Sequence, residues 1–229
     1  MSTDLLPLTP DDLLTTTRSL RRRLDLTRPV DTDVILDCLR VAVQAPSPVN
    51  IQPWSFVVVT DPDLRAAIGE RYRRGWELYD PLADTMWLEH DAERQNLQRR
   101  IWDSVSYLAR HLHDVPVHVL FCVAPRPELA RGQVPGASEA ALSAVLRTAL
   151  YGSIIQAGWS FQLAARGRGL GTCWTNLHLF FEEEVADLLS IPYDSVAQVG
   201  LIAVAYDKGG TARPAPREPL ETKVHWNGW

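Results

Sequence analysis

The chain has 229 residues, of which 46% are hydrophobic and 22% are charged, a composition typical of a globular protein with a substantial core. Its formal net charge of −5 argues against nucleic acid or an anionic membrane as the main partner. The three cysteines, Cys38, Cys122 and Cys173, include no CxxC pair, so the sequence suggests neither a disulfide framework nor a zinc site. Unpaired thiols and a start without the pattern of a signal peptide favour a cytoplasmic location.

The first half of the chain alternates helical and extended patterns. The predicted elements are a helix beginning after Thr9 and running towards the arginines, a helix capped by Asp31 or Thr32, a strand over residues 55–60 and a mostly helical region over residues 63–114. The last of these regions is unusually rich in tryptophan and tyrosine. We expect it to be a helical excursion that covers a site.

The second half predicts three more strands and a long buried helix. The elements are a strand over residues 117–124, a Pro/Gly-rich loop, a helix over residues 139–165, a strand over residues 172–176, a helix over residues 181–189 and a strand over residues 196–206. The long helix contains Arg147, Gln156 and Gln162, which favours a buried helix over a membrane span. Residues 208–229 contain three prolines and no periodicity, and predict an extended tail.

Four strands separated by long connections cannot be joined as hairpins. This spacing indicates an α+β fold with a central mixed sheet surrounded by helices. No linker divides the sequence, so we expect a single domain over residues 1–229.

An arginine cluster follows the first predicted helix. If the helix continues through it, Arg18 faces the same side as Arg21 and Arg22, and two guanidinium groups beside the Ser19 hydroxyl would suit a phosphate. Arg23 would then point away from Arg18. The alternative is a solvated basic face, but concentrated positive charge in an acidic chain favours a specific anion.

A proline-rich segment over residues 45–54 joins a predicted helix to a strand. Its stiffness would place Ser47, Asn50 and Gln52 to hydrogen-bond a flat polar ligand at little cost in conformational entropy. The alternative, a rigid connector whose polar side chains satisfy its own backbone, stays open on composition alone.

Three glycines at positions 167, 169 and 171 follow a helix and precede a strand. This order is the reverse of a dinucleotide-binding fingerprint, so Gly167 and Gly169 are more simply a helix cap and a turn. The sequence contains no catalytic triad, HExxH or Walker motif, and we nominate no catalytic side chain and no metal ligand.

Together, four ordered segments resemble the nitroreductase family. That family has an R-R-S-x-R motif, an A-P-S-x-x-N-x-Q-P-W motif leading into a strand, a helix entering G-L-G-T-x-W, and an Arg-Lys-Pro-Leu-like tail. Here the corresponding segments are TRSLRRR, APSPVNIQPW, GLGTCW and REPL, in the same order and over almost the whole chain.

The resemblance implies an intertwined homodimer with two FMN sites at its interface. Arg18, Ser19 and Arg21 would hold the phosphate and ribityl chain, and Arg217 in the tail would reach the phosphate. The family often has arginine where this chain has Thr17. A shift of one residue would give the last role in the motif to Arg22 and would align Leu24 with an aromatic residue of the family.

The resemblance also implies how the ring of FMN is held. Thr175, Asn176 and Leu177 would lie near the flavin N5, mostly through their backbone. The proline-rich segment would reach the flavin from the partner subunit, with candidate contacts at Pro46, Ser47, Pro48, Asn50 and Gln52.

The implied activity is two-electron transfer from NAD(P)H to a small aromatic acceptor such as a nitroaromatic or a quinone. Flavin destruction, reductive dehalogenation and dehydrogenation are alternatives within the same family. A protein that holds FMN without turnover is a further alternative.

Overall fold

The computed structural model describes residues 5–82, 92–129, 134–210 and 212–229. Six helices and four strands lie within these ranges. They are α1 (Pro10–Thr16), α2 (Thr32–Ala42), β1 (Trp54–Val59), α3 (Pro62–Tyr79), α4 (Ala92–His111), β2 (Val117–Val123), α5 (Glu139–Gly167), β3 (Leu170–Thr175), α6 (Glu182–Leu189) and β4 (Ala197–Tyr206). Each predicted strand is present within two residues of its expected bounds, and the α+β class is confirmed.

The four strands form one sheet in the order β1-β2-β4-β3, and every neighbouring pair is antiparallel. The parallel contribution to the sheet is an isolated bridge between Ser19 and Thr172. The mixed character expected from the sequence is therefore limited, in the described residues, to this bridge on β3.

Helices cover both faces of the sheet. Leu120, Cys122 and Leu201 face α3, α4 and α6, while Phe121 and Ile202 face α2 and α5. All seven residues of β2 are buried, because this central strand is covered on both sides. Both faces of the sheet therefore carry apolar side chains.

The arginine cluster does not continue the first helix, which corrects the helical placement expected from the sequence. Thr9 caps α1, but the helix ends at Thr16, where successive threonine hydroxyls donate to carbonyls four residues earlier. The backbone N–H of Leu20 then donates to the Thr172 carbonyl at 2.8 Å. The cluster therefore lies on an extended segment beside β3, because pairing with the sheet edge replaces the helical hydrogen bonds.

Within the single chain only the second half of α5 is buried, so the buried helix expected over residues 139–165 is found over that half alone. The helix begins after Ser138, whose hydroxyl accepts a hydrogen bond from the Ala141 N–H at 3.2 Å. Burial against the sheet begins at Leu150, whereas Val145 is 64% exposed. By length and composition alone α5 could cross a membrane, a test that core helices of this kind also pass.

All three cysteine thiols are free and buried. Burial raises the pKa of Cys38 to about 11 and that of Cys122 to about 12, and it also raises the pKa of Cys173. Each thiol is therefore protonated at neutral pH and packs as a small apolar group.

Two histidines, His118 and His178, are fully buried between the sheet and the layer of helices that includes α3. His118 donates from Nε2 to the Leu112 carbonyl at 2.8 Å. The other ring nitrogen of His118 and both nitrogens of His178 have no hydrogen-bond partner among the described residues. Burial lowers the pKa of His118 to about 4 and that of His178 to about 3, so both rings are neutral at pH 7.

These two histidines should make the fold acid-sensitive. The unfolded chain takes up protons at these two histidines as the pH falls through about 6.5, whereas in the folded chain the pKa of His118 is about 4 and that of His178 about 3. The free energy of unfolding should therefore be at its full value above pH 6.5. It should fall by about 2 kcal/mol per histidine between pH 6.5 and 5. Urea unfolding over this range should show a shallower pH slope for His178→Leu.

His225→Gln is the matched control, since His225 lies exposed in the tail. It should leave the slope unchanged. An identical slope in wild type and His178→Leu would show that this histidine does not titrate on unfolding.

Candidate functional site

A basic cavity of about 240 Å³ lies between the extended segment after α1 and the start of β3. Its lining includes six arginines: Arg18, Arg21, Arg22, Arg23, Arg166 and Arg213. Asp207 is the one carboxylate among the lining residues. The cavity therefore carries a large excess of positive charge, as a phosphate site requires.

The charge of Asp207 is already neutralised within the fold. Arg23 donates from Nε to Oδ1 at 2.9 Å and from Nη2 to Oδ2 at 2.5 Å. Among the described residues, no carboxylate lies within ion-pair distance of Arg18, Arg21 or Arg166. Their guanidinium groups remain available to an anionic ligand.

Ser19 and Arg22 also line this cavity. Arg22 lies over the ring of Tyr107, 4.9 Å from its centroid, and donates to the Asp103 carbonyl at 3.2 Å. Both contacts fix Arg22 against α4, whereas Arg21 has neither.

A second cavity of about 540 Å³ opens at the end of β3. Thr175, Asn176 and Leu177 line it together, and their position near the flavin N5 stays a prediction. Its walls are largely aromatic or apolar and consist of Tyr79, Val105, Trp174, Leu179 and Phe180. Arg21 lines both cavities, so a basic chamber and an aromatic chamber adjoin at this side chain.

Helix α3 fixes the end of β3. The Tyr72 hydroxyl lies 2.5 Å from the Thr175 hydroxyl, and burial raises the pKa of this phenol so that it stays protonated. One turn later, a Cβ added to Gly75 would lie 2.2 Å from the Leu177 carbonyl oxygen. Only glycine allows the helix to approach the Thr175–Leu177 backbone this closely.

Trp174 occupies a slot made by two other glycines. A Cβ at Gly158 on α5 or at Gly200 on β4 would lie 2.2 or 2.4 Å from its indole ring. The glycine within β4 thus leaves room for an aromatic wall of the second cavity.

The proline-rich segment lies outside both cavities. Ser47 accepts a hydrogen bond on its hydroxyl from the Gln52 N–H at 3.1 Å. Val49, Asn50 and Gln52 have φ angles of 43°, 58° and 48°, a strained conformation for residues other than glycine. Such strain concentrates at functional sites, and Val49 is 94% exposed in the single chain.

Pro46 and Pro48 belong to the same segment, which enters β1 at one edge of the sheet. The residues after β3 leave the sheet at the same end but at the opposite edge. Three strand spacings, about 14 Å, separate these edges. Within one chain the segment is therefore not adjacent to the second cavity.

Arg217 lines a third cavity of about 480 Å³, together with Arg18. The two arginines from opposite ends of the sequence do converge, but the lining of the basic cavity includes Arg18 and not Arg217. The role of Arg217 in binding FMN phosphate stays a prediction.

The cavities also contain residues that the sequence motifs did not identify. They are Arg166, Arg213, Asp207, Tyr79 and Phe180. Arg166 precedes the glycine cluster and could have been found there, since the helix ends beside β3. The others are brought in by tertiary packing and leave no local signal.

Comparison with known proteins identifies the family of this chain. The model of the nitroreductase family matches residues 14–206, which include the arginine cluster, the proline-rich segment and all four strands. This chain belongs to the nitroreductase family. A curated relative, 4-nitrobenzoate reductase of Nocardioides sp. (strain LMS-CY), is 27% identical over 90% of this chain and 85% of the relative.

Two solved structures share the nitroreductase-like fold. A BluB-like flavoprotein from Clostridium difficile 630 has a TM-score of 0.68 and 20% identity, over 96% of this chain and 100% of that one. Iodotyrosine deiodinase bound to FMN and 3-iodo-L-tyrosine has a TM-score of 0.67 and 19% identity, over 95% of this chain and 98% of that one.

The close approach of α3 to Leu177 can be tested by two glycine substitutions of opposite expected sign. Gly75→Ala should lower the free energy of unfolding by roughly 1–3 kcal/mol, because the added methyl group overlaps the Leu177 carbonyl. Gly167→Ala, at the last position of α5, meets Leu5 at an ordinary van der Waals distance of 3.8 Å and should raise it by up to about 1 kcal/mol through helix propensity. Urea unfolding of both variants measures the difference, and a Gly75→Ala protein as stable as wild type would contradict the packing described here.

Proposed function

We propose that this member of the nitroreductase family is an FMN-dependent oxidoreductase that transfers electrons from NAD(P)H to small aromatic acceptors. The observation that carries the proposal is the junction at Arg21 of a basic cavity with an aromatic cavity. This pair of chambers matches a ligand with a phosphate at one end and a flat ring system at the other.

The described residues fit FMN. Arg18, Ser19 and Arg21 would hold its phosphate, with Arg22 at the rim of the same cavity. The backbone at Thr175–Leu177 would face the ring, which would lie against the apolar walls of the second cavity. One compact basic chamber suits one terminal phosphate, and the sequence has no fingerprint for the adenine half of FAD.

Bound FMN would supply the two-electron redox chemistry, and the protein would supply binding and electrostatics. Arg21 would place a fixed positive charge between phosphate and ring, which favours negative charge in that region. Trp174 and Phe180 would exclude water from the second cavity, which we call the ring cavity because it would hold the flavin ring. Its described lining contains no carboxylate and no histidine.

We further propose that the enzyme is a homodimer, located in the cytoplasm, with the proline-rich segment completing the partner's site. The single chain exposes apolar side chains on α2 and α5. On α5, Val145, Ile155 and Trp159 are 64%, 53% and 40% exposed. An apolar surface of this kind marks a protein interface. Across such an interface, a segment remote from its own ring cavity can reach that of the other subunit.

The acceptor class has two candidates. The relative named 4-nitrobenzoate reductase favours a nitroaromatic acid, and the similarity to iodotyrosine deiodinase favours reductive dehalogenation as the second candidate. Anaerobic reduction of the purified protein by NADH or NADPH, followed by mixing with 4-nitrobenzoate, a quinone or 3-iodo-L-tyrosine, separates them. A colourless protein without flavin would refute the proposal, and a flavin that no acceptor reoxidises would indicate a storage protein.

Removal of the shared arginine should weaken FMN binding. A hydrogen bond to a charged group contributes roughly 1.5–3 kcal/mol, so Arg21→Ala should raise the dissociation constant of FMN about tenfold to a hundredfold. Fluorescence titration of the apoprotein with FMN measures this change. Arg110→Ala, on the exposed end of α4 and outside the described cavities, is the control.

Equal losses in both variants would instead indicate a diffuse electrostatic effect. Unchanged affinity in Arg21→Ala would show that the phosphate binds elsewhere.

A charge in the exposed face of α5 should separate the subunits. Ile155→Glu should convert the dimer to a monomer at micromolar concentration and reduce bound FMN, because a buried unpaired carboxylate is strongly unfavourable at an interface. Leu78→Glu is the control, since Leu78 is 58% exposed on α3. Light scattering during size-exclusion chromatography reports the mass, and an Ile155→Glu protein that remains dimeric with full FMN content would exclude this interface.

A further inference from the structure

The third cavity is a separate chamber that the FMN site does not require. It has a volume of about 480 Å³ and lies between the first half of α4 and the tail segment after Arg213. Arg18 forms its boundary with the basic cavity. Its remaining lining consists of Glu93, Arg94, Leu97, Gln98, Arg100, Ile101, Ala215, Pro216, Arg217 and Glu218.

Positive charge dominates this chamber, with four arginines against two glutamates. Glu218 is neutralised, since Arg94 donates to it at 2.5 Å and Lys223 forms a second ion pair. These two contacts lower the pKa of Glu218 and keep it ionised. The other carboxylate is that of Glu93, so a net positive charge remains.

Three guanidinium groups are not matched by a carboxylate among the described residues. Arg18 donates to the Arg213 carbonyl at 3.4 Å and Arg217 donates to the carbonyl of its neighbour Pro216 at 3.1 Å. Arg100 forms no ion pair with a described residue. Arg18 is already assigned to the FMN phosphate, so Arg100 and Arg217 are the guanidinium groups in this lining that favour a doubly charged anion such as a phosphate monoester.

The position of the chamber indicates how such an anion could belong to a substrate of the flavin. Along α4, Val105 lines the ring cavity, Ser104 lines the basic cavity and Leu97 lines the third cavity. The lining of the third cavity on α4 runs from Glu93 to Ile101, twelve to four residues before Val105, so at 1.5 Å per residue it lies about 6–18 Å from Val105 along the helix axis. A molecule whose reactive ring lies at the flavin must therefore be elongated to reach it.

NADPH has this shape and this charge. Its nicotinamide must lie at the flavin ring, and its 2′-phosphate lies on the distant adenosine half; NADH lacks that phosphate. We propose, building on the FMN-dependent reduction proposed above, that the third cavity binds the 2′-phosphate of NADPH and makes Arg100 a determinant of NADPH preference. FMN does not compete for this chamber, because its phosphate lies in the basic cavity.

The experiment titrates the purified protein with adenosine 2′,5′-bisphosphate and with adenosine 5′-monophosphate in a calorimeter. Wild type should bind the bisphosphate at least about tenfold more tightly, and Arg100→Ala should bring the two nucleotides close to equal affinity. Arg99→Ala is the matched control: Arg99 is the preceding residue on α4, contacts Asn96 at 3.3 Å and lines none of the described cavities. The ratio of kcat/KM for NADPH to that for NADH should fall about tenfold in Arg100→Ala and stay unchanged in Arg99→Ala.

Equal affinity of wild type for the two nucleotides would overturn the inference, and so would a bisphosphate preference that survives Arg100→Ala. Loss of FMN from Arg100→Ala without a change in nucleotide binding would also overturn it, by assigning the chamber to the flavin. Failure of the proposed function is distinct: a protein without flavin would show no turnover with either cofactor, while the calorimetric comparison would still give its own result.

Discussion

The ion pair between Arg23 and Asp207 determines the character of the candidate site. Asp207 follows β4, and its side chain is only 8% exposed. Left unpaired beside the basic cavity, it would attract the arginines that a phosphate needs. Asp207 is instead bound by two hydrogen bonds from Arg23, and the Lys208 N–H donates to the Arg23 carbonyl. These contacts anchor the extended segment at the sheet edge. Arg18 and Arg21 are left without a carboxylate partner among the described residues. One arginine of the cluster thus has a structural role, which allows the others to bind an anion.

The candidate site also depends on the close packing of α3 against the end of β3. The hydrogen bond between Tyr72 and Thr175 and the approach of Gly75 to Leu177 fix a backbone that would otherwise be a mobile strand exit. Groups that contact a ring system must be held in place before the ligand arrives if they are to orient it. The backbone proposed to face the flavin is therefore supported by α3, which lies outside the four segments of the family resemblance.

Prediction from sequence was most successful where local patterns dominate. The β-branched run before Asp61 and the apolar run over residues 196–206 specify strands directly, and Asp31 caps α2 as its side chain requires. The arginine cluster was misplaced because its helical spacing is outweighed by pairing with Thr172, a residue about 150 positions away. Similarly, the apolar composition of α5 does not distinguish burial in a core from exposure at an interface. Residues such as Tyr72 and Asp207 reach the site only through tertiary structure, so no spacing rule could have identified them.

The burial of all three thiols has a consequence for an enzyme of this proposed type. Two-electron reduction of a nitroaromatic forms a nitroso compound, and both nitroso compounds and quinones are electrophiles that thiolates attack. Cys173 immediately precedes Trp174 in the wall of the ring cavity, yet its side chain is fully buried and its pKa is raised. The thiolate and not the thiol is the nucleophile. The buried, protonated thiols would therefore offer neither the nitroso product nor the quinone a reactive sulfur. Such an enzyme would be protected from inactivation by its own products.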